Sequence, residues 1–123
     1  MAAASSSSGP VTAARRGAAR GRRHVMIKIQ IRKTDVEISE VLRIHVERRL
    51  GLALARFADR IGRVVVRFSH VDGEPRGSHK CCEIQVGLQP ARVRAEDIDQ
   101  DLFAAVNHAT ERASRSVARA LER

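Results

Sequence analysis

Tryptophan and tyrosine are missing from this chain, and only three phenylalanines serve its 123 residues. The core must therefore be assembled from Val, Ile, Leu and Ala, and there is little means of reading single-stranded bases by stacking on aromatic rings. Cysteine is equally scarce. The two present, Cys81 and Cys82, are adjacent and support no disulfide framework, so nothing indicates secretion. No apolar run approaches the roughly 18 residues that a membrane-spanning helix needs. Lysine occurs only at positions 28, 33 and 80, which leaves arginine dominant among 23 basic residues set against 14 acidic ones, a formal charge of +9. Guanidinium forks pair bidentately with phosphate, so the balance points to a polyanionic partner. A GC-rich coding sequence, which enriches Arg and Ala without functional demand, is the competing source of it.

What is present reads as one domain with a tail. Residues 1–24 hold five arginines among small residues, with no acid and no hydrophobic periodicity. Such a segment is expected to be a disordered basic tail. A nucleic-acid-binding arm, an organellar transit peptide and translation from a start upstream of the real one are its three competing explanations. Residues 25–123 carry the remaining 18 basic groups against all 14 acidic ones. The domain is only mildly basic, so binding specificity has to come from where its charges sit.

Val25, Ile27, Ile29 and Ile31 alternate with Lys28, Gln30 and Arg32, the pattern of a half-buried strand. Ser39 is placed to cap a helix whose apolar positions are Leu42, Val46, Leu50, Ala53, Phe57 and Ile61, closed by Gly62. A second strand is expected over 63–71 and a third over 80–89, separated by the turn-rich stretch 72–79. A short fourth strand with Val93 and Ala95 then leads to Asp97 or Asp99, either able to cap a final helix. The order β-α-β-β-β-α predicts an α+β fold, a four-stranded sheet with both helices packed on one face and the other face left to water.

At about 100° per residue, His108, Arg112, Arg115, Arg119 and Arg123 share one stripe of the last helix, beside a core sector of Leu102, Ala105, Val106, Ala109, Ala113, Val117 and Ala120. An ordinary solvated face would mix signs, whereas Glu111 and Glu122 lie to one side of this stripe. His45, Arg49, Arg56 and Arg60 repeat the arrangement more weakly on the first helix. Helices lying side by side could merge the two basic edges into one surface that grips RNA by its phosphates and shape. The RNA-binding residues read from the chain are Arg49, Arg56, His108, Arg112, Arg115 and Arg119.

These residues resemble the short ribosome hibernation-promoting factors and ribosome-associated translation inhibitors, the sigma-54 modulation or S30EA type, over about residues 26–121. Val36 to Leu50 is similar to the family's strand end and opening helix, and Phe57-Ala-Asp-Arg-Ile61 to its helix end. Asp101-Leu-Phe-Ala-Ala-Val-Asn107 is similar to the family's Asp-Met-Tyr-Ala-Ala-Ile-Asp signature, and Arg112, Arg115 and Arg119 follow where the family is basic. The resemblance implies a cytoplasmic, stress-responsive protein that binds the decoding region of the small ribosomal subunit through its ribosomal RNA and blocks messenger and transfer RNA sites. Gly51-Leu-Ala-Leu-Ala55, Phe103 in place of Tyr, and the loop 72–79 depart from the family and mark a divergent branch. The C-terminal dimerisation domain of the family's long members is not expected in a chain ending at Arg123.

No enzyme, catalytic residue, cofactor or small-molecule substrate is expected, because the five histidines are scattered without a nucleophile motif. A metal site from His79, Cys81 and Cys82 is not expected either: neighbouring strand residues point to opposite faces, which assigns Cys82 to the core and Cys81 to the outer face. A non-ribosomal interaction or regulatory module of the same fold is the alternative reading.

Overall fold

A computed structural model describes residues 27–33, 35–71, 79–89 and 91–122. The tail 1–24, Val25, most of the 72–79 stretch and Arg123 lie outside the described residues. The chain forms β1 (Ile29–Lys33), α1 (Glu40–Leu54), a 3₁₀ segment (Ala55–Arg60), β2 (Ile61–His70), β3 (Lys80–Leu88), β4 (Arg92–Asp99) and α2 (Leu102–Glu122).

The four strands lie in chain order, β1-β2-β3-β4. β1 runs parallel to β2, and a parallel pair needs a crossover, which α1 supplies. β2–β3 and β3–β4 are antiparallel. Period-2 alternation sends Val64, Val66 and Phe68, then Cys82, Ile84, Val86 and Leu88, and Val93 and Ala95 to one face, all buried. Leu42, Val46, Leu50 and Leu54 of α1 and Ala105, Val106, Ala109, Ala113 and Val117 of α2 cover that face. Full burial of each Val, Leu, Ile or Phe is worth roughly 1.5–3 kcal/mol, so this single apolar layer holds the two helices on the sheet. Phe68 is fully buried, while Phe57 and Phe103 pack partly buried against the core.

Three local expectations change. The first helix does not run to Gly62: it ends at Leu54, and the chain tightens into the 3₁₀ segment, whose following residue Ile61 is already extended at φ −102 and ψ 128. The tightening turns Leu54, fully buried, into the last core residue of α1 in place of Ala53. The fourth strand is longer than expected, its register reaching Asp99 opposite Lys80, so neither Asp97 nor Asp99 can start the helix. Asp101 takes that role. Its carboxylate accepts from the Phe103 N–H at 3.0 Å and its carbonyl from the Ala105 N–H at 3.0 Å. Ser39 caps α1 as expected, its Oγ accepting from the Leu42 N–H at 3.1 Å.

The cysteines fall on opposite faces, Cys82 buried and Cys81 half-buried. Burial, followed by the fields of Cys81, Asp97 and Glu83, pushes the Cys82 thiol up to about 12. Burial first, then Glu96 and Glu83, also raises Cys81. A thiol-reactive dye on the folded protein at neutral pH should therefore leave Cys82 untouched and label Cys81 slowly, both reacting fully in denaturant. Two fast native thiols would contradict this packing.

Candidate nucleic-acid interface

α2 turns its buried residues to the sheet and exposes His108, Arg112, Arg115 and Arg119 along one outer stripe. The upper half of the stripe is tethered. His108 Nδ1 lies 3.3 Å from Asp97 Oδ2, and Arg112 Nη1 lies 3.4 Å from Asp97 Oδ1 while donating to the Glu96 carbonyl at 2.7 Å. Asp97 is at the end of β4 with its side chain only 12% exposed, so it is a fixed anchor, whereas His108 and Arg112 are 55% and 54% exposed. Neither Arg115 nor Arg119 takes part in an ion pair among the described residues. The lower half of the stripe is thus free cation, and the upper half is cation held in a set orientation.

Asp97, Asp99 and His108 each present one donor atom, all within 4.8 Å of one another, a grouping that chain spacing did not reveal. Its anionic charge is already met by Arg112, which a divalent ion would have to displace. From the chain alone Asp97 reads as a helix cap, because it is a carboxylate just before a helix. Its real partners stand eleven and fifteen positions further on, across the β4–α2 connection.

Arg49 and Arg56 sit elsewhere. The seam between the helices is made by His45 Nε2 and Asn107 Oδ1 at 2.8 Å, by the His45 and Phe103 rings with centroids 5.0 Å apart, and by Ser114 Oγ donating to the Ala53 carbonyl at 3.3 Å. Helical spacing from His45 puts Arg49 on this seam side of α1, while Arg56 belongs to the 3₁₀ segment that follows. Arg49 is half-buried, its Nε buried without a hydrogen-bond partner, and the Arg56 guanidinium lies 4.5 Å over the Phe57 ring. On α2 the seam residues are Phe103, Asn107 and Ser114, about 140° round the helix from the stripe. The same projection places Glu111 and Glu122 between the two. The six residues consequently form two groups, Arg49 with Arg56 on α1 and the 3₁₀ segment and the outer stripe on α2, and not one continuous patch.

The geometry defines a class first: a two-layer α+β domain whose outer helix presents a cationic stripe. The chain belongs to the Sigma 54 modulation protein / S30EA ribosomal protein family, which matches residues 29–123. Among solved structures it is similar to the N-terminal domain of Thermus thermophilus Protein Y, with 30% identity and a TM-score of 0.62 over 76% of this chain and 98% of that one. A ribosomal subunit interface protein from Coxiella burnetii shares the fold at 18% identity, with a TM-score of 0.69 over 79% of this chain and 100% of the other. A comparison with curated proteins finds no match. No helix is long and apolar enough to cross a membrane among the described residues.

Proposed function

We propose that this protein binds the small ribosomal subunit in the cytoplasm, holding ribosomal RNA phosphates and sterically blocking messenger and transfer RNA sites, as a hibernation or translation-inhibition factor under stress. The observation that carries this reading is the single-sign stripe His108, Arg112, Arg115 and Arg119 on α2 of a chain belonging to this family. Phosphate capture by such a stripe releases counterions, which favours binding to any dense phosphate surface. Shape then selects among surfaces, since the domain offers no exposed tryptophan or tyrosine to read bases. Arg49 on α1 and Arg56 on the 3₁₀ segment contribute as a second, separate group. Steric occlusion requires no chemical step, no cofactor and no metal.

The test is sedimentation of purified protein with purified small subunits through a sucrose gradient, followed by competition with a messenger fragment. Co-migration that the messenger fragment reduces is the expected result. Protein remaining at the top of the gradient would refute the reading and favour a module acting on another partner. The outer face of α1 would then be the first place to look, because Val41, Ile44 and Leu52 are 67%, 50% and 75% exposed there.

A further inference from the structure

The sheet face turned away from the helices is not merely left to water. Strand alternation places Lys28, Arg32, Arg63, Arg67, Arg92 and Arg94 on it, against only two carboxylates, Glu83 and Glu96. The two signs are not mixed evenly. Glu83 pairs with Arg67 at 3.9 Å and with Arg94, and Glu96 with Arg94 at 3.2 Å, which gathers the acids at one end. Four positions along β3, about 13 Å away at the usual strand rise, the cross-strand register sets Arg63 opposite Gly87 and Gly87 opposite Arg92. Lys28 continues the same row at the sheet edge, its carbonyl accepting from the Val64 N–H at 2.9 Å. Lys28, Arg63 and Arg92 are all exposed, and no acidic side chain pairs with them among the described residues.

We infer that this row is a second RNA-binding surface, in which Arg63 and Arg92 close on a backbone phosphate of an RNA strand over the bare backbone of Gly87. Adjacent strands are about 4.8 Å apart, so the two arginines stand on either side of a gap of about 10 Å whose floor carries no side chain. Guanidinium forks from both walls match the geometry of one phosphate, and strand positions fix them better than a loop would. None of the three phenylalanines lies on this face, since all pack on the core, so the row holds backbone and not bases. The α2 stripe is bonded to the β4 edge on the helix side of the sheet, and the row lies on the helix-free face, so the two surfaces would hold RNA from different faces of the domain. This inference does not depend on the ribosomal reading.

The experiment uses the full chain and a 12-nucleotide single-stranded RNA of mixed sequence, followed by nuclear magnetic resonance of the Gly87 amide and by affinity at two salt concentrations. The Gly87 signal should move on titration. Arg63→Glu with Arg92→Glu should weaken binding about tenfold and lower the salt slope by roughly 0.7, the value for one phosphate on a single strand. Gly87→Leu keeps the net charge and fills the gap. Even its first added carbon would lie 3.6 Å from the Arg63 carbonyl, an ordinary contact, so the fold should hold while binding falls. Wild-type affinity in either folded variant, or a polyglutamate peptide that moves Gly87 as strongly as RNA does, would overturn the assignment. Substitution of Arg115 and Arg119 should leave the Gly87 response in place. If wild type moves Gly87 with RNA yet ignores small subunits, only the ribosomal reading fails.

Discussion

Replacing Arg112, Arg115 and Arg119 together by Glu should weaken binding to small subunits on the order of a hundred-fold at physiological salt. Each charge-assisted contact contributes about 1 kcal/mol or more, and about 1.4 kcal/mol corresponds to a factor of ten, so three lost contacts already approach that figure before repulsion is added. The dependence of affinity on salt should flatten by roughly 2–3 in slope, because about 0.7–0.9 of a counterion is released per phosphate neutralised. The three positions are not equivalent. Arg112 is bonded to the Glu96 carbonyl and paired with Asp97, so Glu there would also face the Asp97 carboxylate and a carbonyl oxygen and loosen the end of β4. The Arg115→Glu, Arg119→Glu pair avoids that disturbance and should show most of the loss with circular dichroism unchanged. A folded pair variant with wild-type affinity and slope would remove the stripe from the interface.

The tether at Asp97 explains why the stripe is ordered without being neutralised. One carboxylate serves both His108 and Arg112, and each side chain keeps more than half of its surface open. Bound this way, Arg112 has fewer rotamers left to lose when a phosphate arrives, which lowers the entropy cost of the contact. The seam residue Arg49 lacks any such partner for its buried Nε, and a buried donor left unmet costs about 1–3 kcal/mol.

Much of this was readable from the chain, and the reason differs by element. Ile29 and Ile31, and Cys82 to Leu88, follow a period of two from which strand faces follow directly, including the split between Cys81 and Cys82, whereas Val65 interrupts the alternation in β2 and only Val64, Val66 and Phe68 of that run are buried. The stripe on α2 is equally legible, because 3.6-residue periodicity needs no knowledge of neighbours. The end of α1 was not legible, since Leu54 and Ala53 are both acceptable helix residues and only packing on the sheet makes Leu54 the buried one. Asp97, Asp99 and Asp101 are chemically alike as caps. The choice among them is made by the register of β4 against β3, a contact between distant segments. The pairing of Asp97 with His108 and Arg112, and the row through Arg63, Gly87 and Arg92, belong to the same category: both are created by the register and not by sequence spacing.

Phe68→Ala should be the most damaging single substitution in the domain, costing about 3–5 kcal/mol of folding free energy. Phe68 is the largest of the fully buried side chains, and it stands on β2, an interior strand, with Lys33 of β1 on one side and Cys82 of β3 on the other. A core without tryptophan or tyrosine has nothing comparable to take over its volume, and the surrounding Val, Ile and Ala side chains are too short to collapse into the space. The loss therefore combines the transfer term of the ring with a cavity that stays open. Single domains of this size are stable by only about 5–15 kcal/mol, so a large share of the total goes with one side chain. At about 4–8 °C per kcal/mol for a domain of 60–100 residues, Tm should fall by about 12–40 °C. Urea unfolding followed by far-ultraviolet circular dichroism gives the free energy directly. Phe68→Leu retains much of the volume and should recover most of the difference, whereas equal losses in the two variants would mean that ring volume is not what holds the sheet to its helices.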